Sequence, residues 1–401
     1  GSEVRAAAPQ PGPWHAWLDS PGGELPFGLE LGGSAAAPMA FFLNGKERIA
    51  VPRVSLEGNR VVFDIDHYDS KIVARVSDGG KRLDGEWAKR GRNDAMTRMA
   101  FHAVHGRQPQ FRQESRMPAA AHGVDGRWAV KFSSSNEPAV GAFKTESDGS
   151  VSGTFLTTTG DYRYLAGGFD GTTLRLSCFD GGHAFLFVAS MGSDDVLTGD
   201  FWSRDAWHET WTGKRDDSVQ LPDAFSLTRG TKVSLSQVAY RDLKGRNISL
   251  GDARFQGKAR IIEVFGTWCP NCHDASDYLA ELNRKYKDRG LSIVGIAFEL
   301  SNDFDRSVRQ VHTFAKRHNA SYPILIGGLA DREKADSIFP LIDRVRSYPT
   351  FVFLNRRSGI EAVYSGFSGP ATGSDYDRLR ERWESLIQGL LSDNIPDHGR
   401  N

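Results

Sequence analysis

The sequence predicts a multidomain chain: an N-terminal all-β, antiparallel, barrel-like region of two internal repeats, followed by an α/β domain. Three observations lead there. Short segments of alternating polarity, separated by glycine-rich turns, fill the first half. A set of landmarks in that half recurs at a constant offset. Beyond residue 221 the pattern changes to apolar strands alternating with helical stripes, and Cys-x-x-Cys sits at the first strand–helix junction.

At 401 residues, two or three domains are expected, and a hydrophobic fraction of 39% supplies their cores. Lys+Arg and Asp+Glu are both 50. A net charge of zero leaves no electrostatic footprint for nucleic acid or an anionic membrane surface. Three cysteines (Cys178, Cys269 and Cys272) are too few for a four-cysteine zinc site or a disulfide-stapled scaffold. No apolar run is long enough for a transmembrane helix. Gly1-Ser2 reads as a cloning remnant, residues 1–11 as a tail or linker, and a leader or anchor is expected to have preceded residue 1.

In the β region, Arg60–Asp66, Lys71–Val76 and Ala184–Val188 alternate as half-buried strands do. Gly12-Pro13-Trp14 matches Gly126-Arg127-Trp128, Leu83-Asp84-Gly85-Glu86-Trp87 matches Leu197-Thr198-Gly199-Asp200-Phe201, and Asp66 matches Asp180. Each pair is 114 positions apart, so register holds across three landmarks. Residues 12–117 and 118–216 are therefore two copies of one antiparallel unit of roughly 100 residues, an ordinary domain size. One pseudo-symmetric barrel made of both copies is the expected arrangement, since closure removes exposed edges. Cys178 shares strand parity with Leu174 and Leu176 and is expected to be a buried, inert thiol. The aromatic and polar run Asp205–Trp211 reads as alternating strand faces.

In residues 222–395 a short β lead-in precedes the strand Ala259–Phe265. A helix follows from Cys269 to Arg289, with Ala275, Tyr278, Leu279, Leu282 and Tyr286 on one face and Gly290 as its stop. The strand Leu291–Phe298 is nearly all apolar, as a central strand covered on both faces must be. Asn302 or Asp303 caps a second helix with the stripe Phe304, Val308, Val311 and Phe314. The strand Pro323–Ile326, a hairpin from Phe351–Leu354 to Ala362–Tyr364 and a last helix carrying Tyr376, Leu379, Trp383, Leu386, Ile387 and Leu390 complete a βαβαββα order. Residues 396–401 read as a tail.

Cys269 and Cys272 lie two residues apart at a helix start, where partial positive charge favours a thiolate. Cys269 is expected exposed and Cys272 one turn deeper and shielded, an arrangement suited to thiol–disulfide exchange.

The order of elements, Phe225-Ser226-Leu227 with Val233-Ser234-Leu235, the core Phe265-Gly266-Thr267-Trp268-Cys269-Pro270-Asn271-Cys272, the strand Ile293–Glu299 and the turn Tyr348-Pro349-Thr350 together resemble a thioredoxin fold of the ResA/TlpA-like branch of extracytoplasmic thiol–disulfide oxidoreductases. The resemblance covers a little under half of the chain and says nothing of the first 216 residues. It implies that Glu263, six positions before Cys269, takes and returns the proton of Cys272, with Glu299 at the end of the next strand as the competing acid. It implies that Pro349 is the cis-proline facing the cysteines, that the Tyr348 backbone pairs with an extended substrate, and that Trp268 lines the same docking rim. Pro270 and Asn271, between the thiols, influence redox potential. Asp277 stands where most relatives have a helix-kinking proline, and His273 is read as a solvated side chain.

Function follows as a protein disulfide oxidoreductase, expected to reduce disulfides of extracytoplasmic, periplasmic proteins. It needs no cofactor beyond the redox-active Cys269–Cys272 disulfide, and a membrane partner supplies its electrons. Two rival readings are a ligand- or protein-binding β module with a passive thioredoxin-like domain, and a Cu(I)–thiolate protein.

Overall fold

The computed structural model describes residues 7–111 and 123–392. The tail at 396–401, the first part of the 1–11 tail and the repeat boundary at 117–118 lie outside the described residues. The chain divides into two compact units: Gly1–Thr157 with Tyr162–Leu221, and Thr158–Asp161 with Pro222–Asn401.

The first unit is antiparallel β-sheet throughout. Its first copy contains β1 (Gly12–Ser20), β2 (Gly23–Gly33), β3 (Pro38–Asn44), β4 (Glu47–Ala50), β5 (Arg53–Glu57), β6 (Arg60–Ile65), β7 (Ser70–Ser77), β8 (Arg82–Arg90) and β9 (Met96–His105). The second contains β10 (Gly126–Phe132), β11 (Ala139–Thr145), β12 (Val151–Thr157), β14 (Leu165–Phe169), β15 (Thr173–Phe179), β16 (Ala184–Met191), β17 (Val196–Ser203) and β18 (Trp207–Arg215), while the short β13 (Gly160–Asp161) belongs to the other unit. Strands β7 and β16, and β8 and β17, begin 114 residues apart, as the sequence landmarks do. The local chemistry repeats as well. Buried Trp14 donates its indole N–H to Gln10 O at 2.9 Å, and buried Trp128 donates to Val124 O at 2.9 Å.

The copies do not share one barrel; each builds its own sheet. In the second, β12 pairs with both β11 and β14, through Val151↔Thr145 and Val151↔Gly167, which closes an eight-stranded barrel. In the first, the sheet ends at β4 and β5, leaving a half-barrel. Its open interior is filled by the outside of the closed barrel. Along β15, Leu174, Leu176 and Cys178 point into the barrel core, whereas Phe179 takes the other face and joins the core of the first copy. The Phe179 ring lies 4.5 Å from that of Phe27 and 5.1 Å from those of Phe42 and Trp87. Asn44 completes the seam, donating to Phe179 O at 2.8 Å and accepting from Phe179 N at 3.0 Å.

A buried ion cluster pins the same seam. Arg163 sits at φ 58° and bridges Glu47 at 2.6 Å and Asp180 at 3.1 Å. Burial alone would raise the Asp180 carboxyl, but His183 and Arg163 hold it well below the usual carboxylate range. Removing one partner from a buried ion pair strands the other charge. Arg163→Ala is therefore expected to cost the first unit about 3–5 kcal/mol, read by urea denaturation. Because the folded Asp180 is depressed, its contribution is present above the unfolded carboxyl range. It fades as pH falls below about 4.

The second unit is thioredoxin-like. Two short strands, β19 (Ala239–Arg241) and β20 (Asn247–Ser249), precede β21 (Ala259–Phe265), α1 (Pro270–Tyr286), β22 (Leu291–Glu299), α2 (Phe304–His318), β23 (Ile324–Leu329), β24 (Thr350–Leu354), β25 (Ile360–Ser365) and α3 (Ser374–Leu391). The sheet order is β20-β19-β23-β22-β21-β24-β25, with β21, β22 and β23 parallel and β24 and β25 antiparallel. The lead-in differs from expectation: 225–227 and 233–235 form no strand, and the pairing strands come later in sequence. Alternation along β21 decides the site. Ala259, Ile261 and Phe265 face the cluster that holds α1, α2 and α3, while Ile262 and Val264 face the opposite cluster. Glu263 shares the parity of the helix-facing set.

Candidate functional site

Strand β21 runs through Gly266-Thr267-Trp268 into α1, and Cys269 is the N-cap of that helix, with extended φ/ψ of −101°/112°. Its sulfur accepts the Cys272 N–H at 3.3 Å, a cap made by sulfur in place of the usual side-chain oxygen. Pro270, in the first helical turn, needs no N–H partner there. Both cysteines are free thiols.

Cys269 was expected exposed; it keeps only 6% of its surface. The Tyr348 carbonyl, which accepts the thiol hydrogen at 3.3 Å, lies directly on it. Cys272 is fully buried, and burial, the hydrogen bond with Cys269 and the neighbouring Cys269 and Glu263 push its thiol well above the ordinary range.

The two candidate acids are placed differently. Glu263 is 0% exposed, and neither carboxyl oxygen meets a hydrogen-bond partner among the described residues. Burial, reinforced by Cys269, drives its carboxyl far up. An unpaired acid in a sheet core is costly and has no packing rationale. Glu299 is also buried and raised by burial, but it is occupied: it accepts from Thr267 N at 3.0 Å and from Thr267 Oγ1 at 2.7 Å. Glu263 is the acid electrostatically coupled to both thiols, and Glu299 braces the turn before them.

Trp268 is half-buried, donates its indole N–H to Phe298 O at 2.8 Å and meets the Tyr348 ring at 5.5 Å. The Tyr348–Pro349 bond is cis. Asn271 donates to Asp161 O at 3.1 Å, within the segment Thr158–Asp161 that packs with this unit.

Sequence reasoning missed a histidine pair. His273 is not solvated but 5% exposed, its ring 4.6 Å from that of Phe314. Its Nδ1 lies 2.5 Å from Nε2 of His318, whose Nδ1 lies 2.7 Å from Asp277 Oδ1. His318 sits four residues after Phe314, so the helical stripe of α2 extended by one step would have found it. Among the described residues no group of three or more His, Cys, Asp and Glu is arranged to hold a metal ion.

Residues 221–368 match the family model described as Redoxin. Over 100 residues the chain is 32% identical to the thiol-disulfide oxidoreductase ResA of Bacillus thuringiensis subsp. konkukian (strain 97-27), covering 25% of this chain and 53% of that one. It is 29% identical over 126 residues to the thioredoxin-like protein YneN of Bacillus subtilis (strain 168), covering 31% and 66%. The crystal structure of a putative thiol:disulfide interchange protein DsbE from Chlorobium tepidum is 17% identical, covers 39% of this chain and 93% of that chain, and has a TM-score of 0.29. The chain spans about half the length of the first of these curated relatives. The family match and the similarity to ResA together identify residues 221–368 as a ResA-like redoxin domain.

Proposed function

We propose that the protein reduces disulfides of extracytoplasmic, periplasmic proteins by dithiol/disulfide exchange at Cys269 and Cys272. The observation that carries this reading is a capping thiol at a helix start, followed one turn later by a buried thiol coupled to a buried, unpaired Glu263. Cys269 as thiolate attacks one sulfur of the substrate disulfide; a mixed disulfide forms and the other substrate sulfur leaves as a thiolate. Cys272 passes its proton to Glu263, whose raised carboxyl must first ionise, and attacks Cys269 Sγ. The second substrate thiol is released and Glu263 returns the proton to it. Two electrons have moved: the protein holds one disulfide, and the substrate holds one thiol and one thiolate, which takes its proton from water.

The only redox group required is that disulfide, and a membrane partner re-reduces it. An extended substrate docks beside Tyr348 and Pro349 against Trp268, where the carbonyl on Cys269 must give way. Pro270 and Asn271 tune the potential. Likeness to ResA, described as a thiol-disulfide oxidoreductase, supports thiol–disulfide exchange at this pair.

Cys272→Ser leaves the mixed disulfide unresolved. With this variant, mass spectrometry is expected to find a disulfide-bonded client, such as insulin, attached through Cys269. Absence of any adduct at Cys269 would contradict the reading.

A further inference from the structure

Beneath the first turn of α1 runs a continuous chain of hydrogen bonds that reaches from the Cys269 turn to the surface. Thr267 O lies 2.7 Å from His273 Nε2, His273 Nδ1 lies 2.5 Å from His318 Nε2, and His318 Nδ1 lies 2.7 Å from Asp277 Oδ1. The two imidazoles are buried, whereas the Asp277 side chain is 71% exposed. The donor and acceptor roles of the ring nitrogens follow from the tautomers the partners allow. A carbonyl only accepts, so His273 Nε2 carries a hydrogen. One proton bridges the two rings. With Asp277 as a carboxylate, a third sits on His318 Nδ1. Two neutral imidazoles hold two N–H protons, so all three bonds made at once would give the pair one shared positive charge facing Asp277.

That pair is built into the thiol site. His273 directly follows Cys272, and its backbone N–H donates to Cys269 O at 3.2 Å. Thr267, whose carbonyl the ring grips, is gripped from its amide and hydroxyl by Glu299. The residues leading into Cys269 are thus held on both sides. The elements that carry and flank the pair hold these other titratable groups: Cys269, Cys272 and Asp274 at the start of α1, Glu263 on β21, Glu299 on β22, Lys316 and Arg317 beside His318 on α2, and Tyr322 after it. Phe314 of α2 packs on both rings, at 4.6 and 4.8 Å.

We propose that His273, His318 and Asp277 form a positioning relay that fixes the turn carrying Cys269 and holds one positive charge beside it, favouring the attacking thiolate, with Asp277 as the surface residue that keeps the charge in place. The proposal rests on Cys269 being the attacking thiol. It makes a departure at 277 functional: a carboxylate there is the counter-ion that a proline could not be.

The test reads iodoacetamide alkylation of Cys269 in the reduced full chain against pH, with peptide mass mapping and no substrate present. At pH 7, Asp277→Asn and His318→Gln are each expected to slow alkylation about tenfold, the size of one opposite charge withdrawn from a partly buried thiolate. The double variant is expected to be no slower than His318→Gln, and Asp277→Glu is expected to restore the wild-type rate. Asp277 is exposed, so its variants fold; melting curves confirm it. A normal wild-type profile left unmoved by both single variants would overturn the relay alone, as would strictly additive losses in the double variant. An unreactive Cys269 in the wild type at every pH would overturn the relay and the proposed function together.

Discussion

Glu263→Gln is expected to slow the resolution of the mixed disulfide by about 10²–10⁴-fold at neutral pH, the range a positioned proton acceptor contributes. The amide keeps the shape of the acid and cannot take the Cys272 proton. Cys272 lies so far from ionisation in its buried setting that it cannot shed that proton unaided. Stopped-flow with a model disulfide reads the step, and the deficit should shrink at high pH as hydroxide replaces the missing base. The same substitution should stabilise the fold. The folded carboxyl is raised, so the folded state binds its proton more tightly than the unfolded chain does. Wild-type stability therefore falls as pH rises above the unfolded value near 4.3, at up to about 1.4 kcal/mol per pH unit, until Glu263 ionises. Melting curves of wild type and Glu263→Gln are expected to coincide near pH 4 and separate by at least about 1 kcal/mol at pH 8.

Cys269→Ser is expected to reduce disulfide turnover to the uncatalysed rate, because a serine hydroxyl neither ionises near neutral pH nor forms a disulfide. Its fold should hold, since Ser caps helices well and the Cys272 N–H keeps an acceptor. Cys178→Ser gives the opposite outcome. Cys178 is fully buried in the core of the closed barrel with Leu174, Leu176 and Phe187, so its serine variant should leave exchange unchanged. Insulin reduction and urea denaturation on both variants separate the redox thiol from the packing one.

Much of this was legible because it depends on short-range pattern. The 114-residue offset survives in strand starts and in the paired Trp14 and Trp128 hydrogen bonds, since each copy solves the same local problem. The helix stop at Gly290, with φ 97°, and the Asp303 cap were written in single residues. Closure of the second barrel and the half-open first were not legible: β12 pairs with β14 across the short β13, whereas the counterpart strands β3 and β5 make no such ladder, a difference of side-chain packing that alternation does not record. Phe179 facing the other copy is a matter of packing between repeats, which alternation alone does not assign. At the site, Glu263 stood out as a charge in an apolar strand. The burial of Cys269 did not, because the covering Tyr348 carbonyl comes from 79 residues away. His273 was misjudged for the same reason: its partner His318 lies on another helix.

The most direct test of the dithiol site is equilibration of the full chain in thiol/disulfide buffers of stepped potential, followed by alkylation and mass mapping. Cys269 and Cys272 are expected to lose reactivity together, in one two-electron transition of about 30 mV per tenfold change, while Cys178 stays reduced throughout. If both thiols remained free across the whole range, or if either oxidised without the other, disulfide exchange at this site would be contradicted.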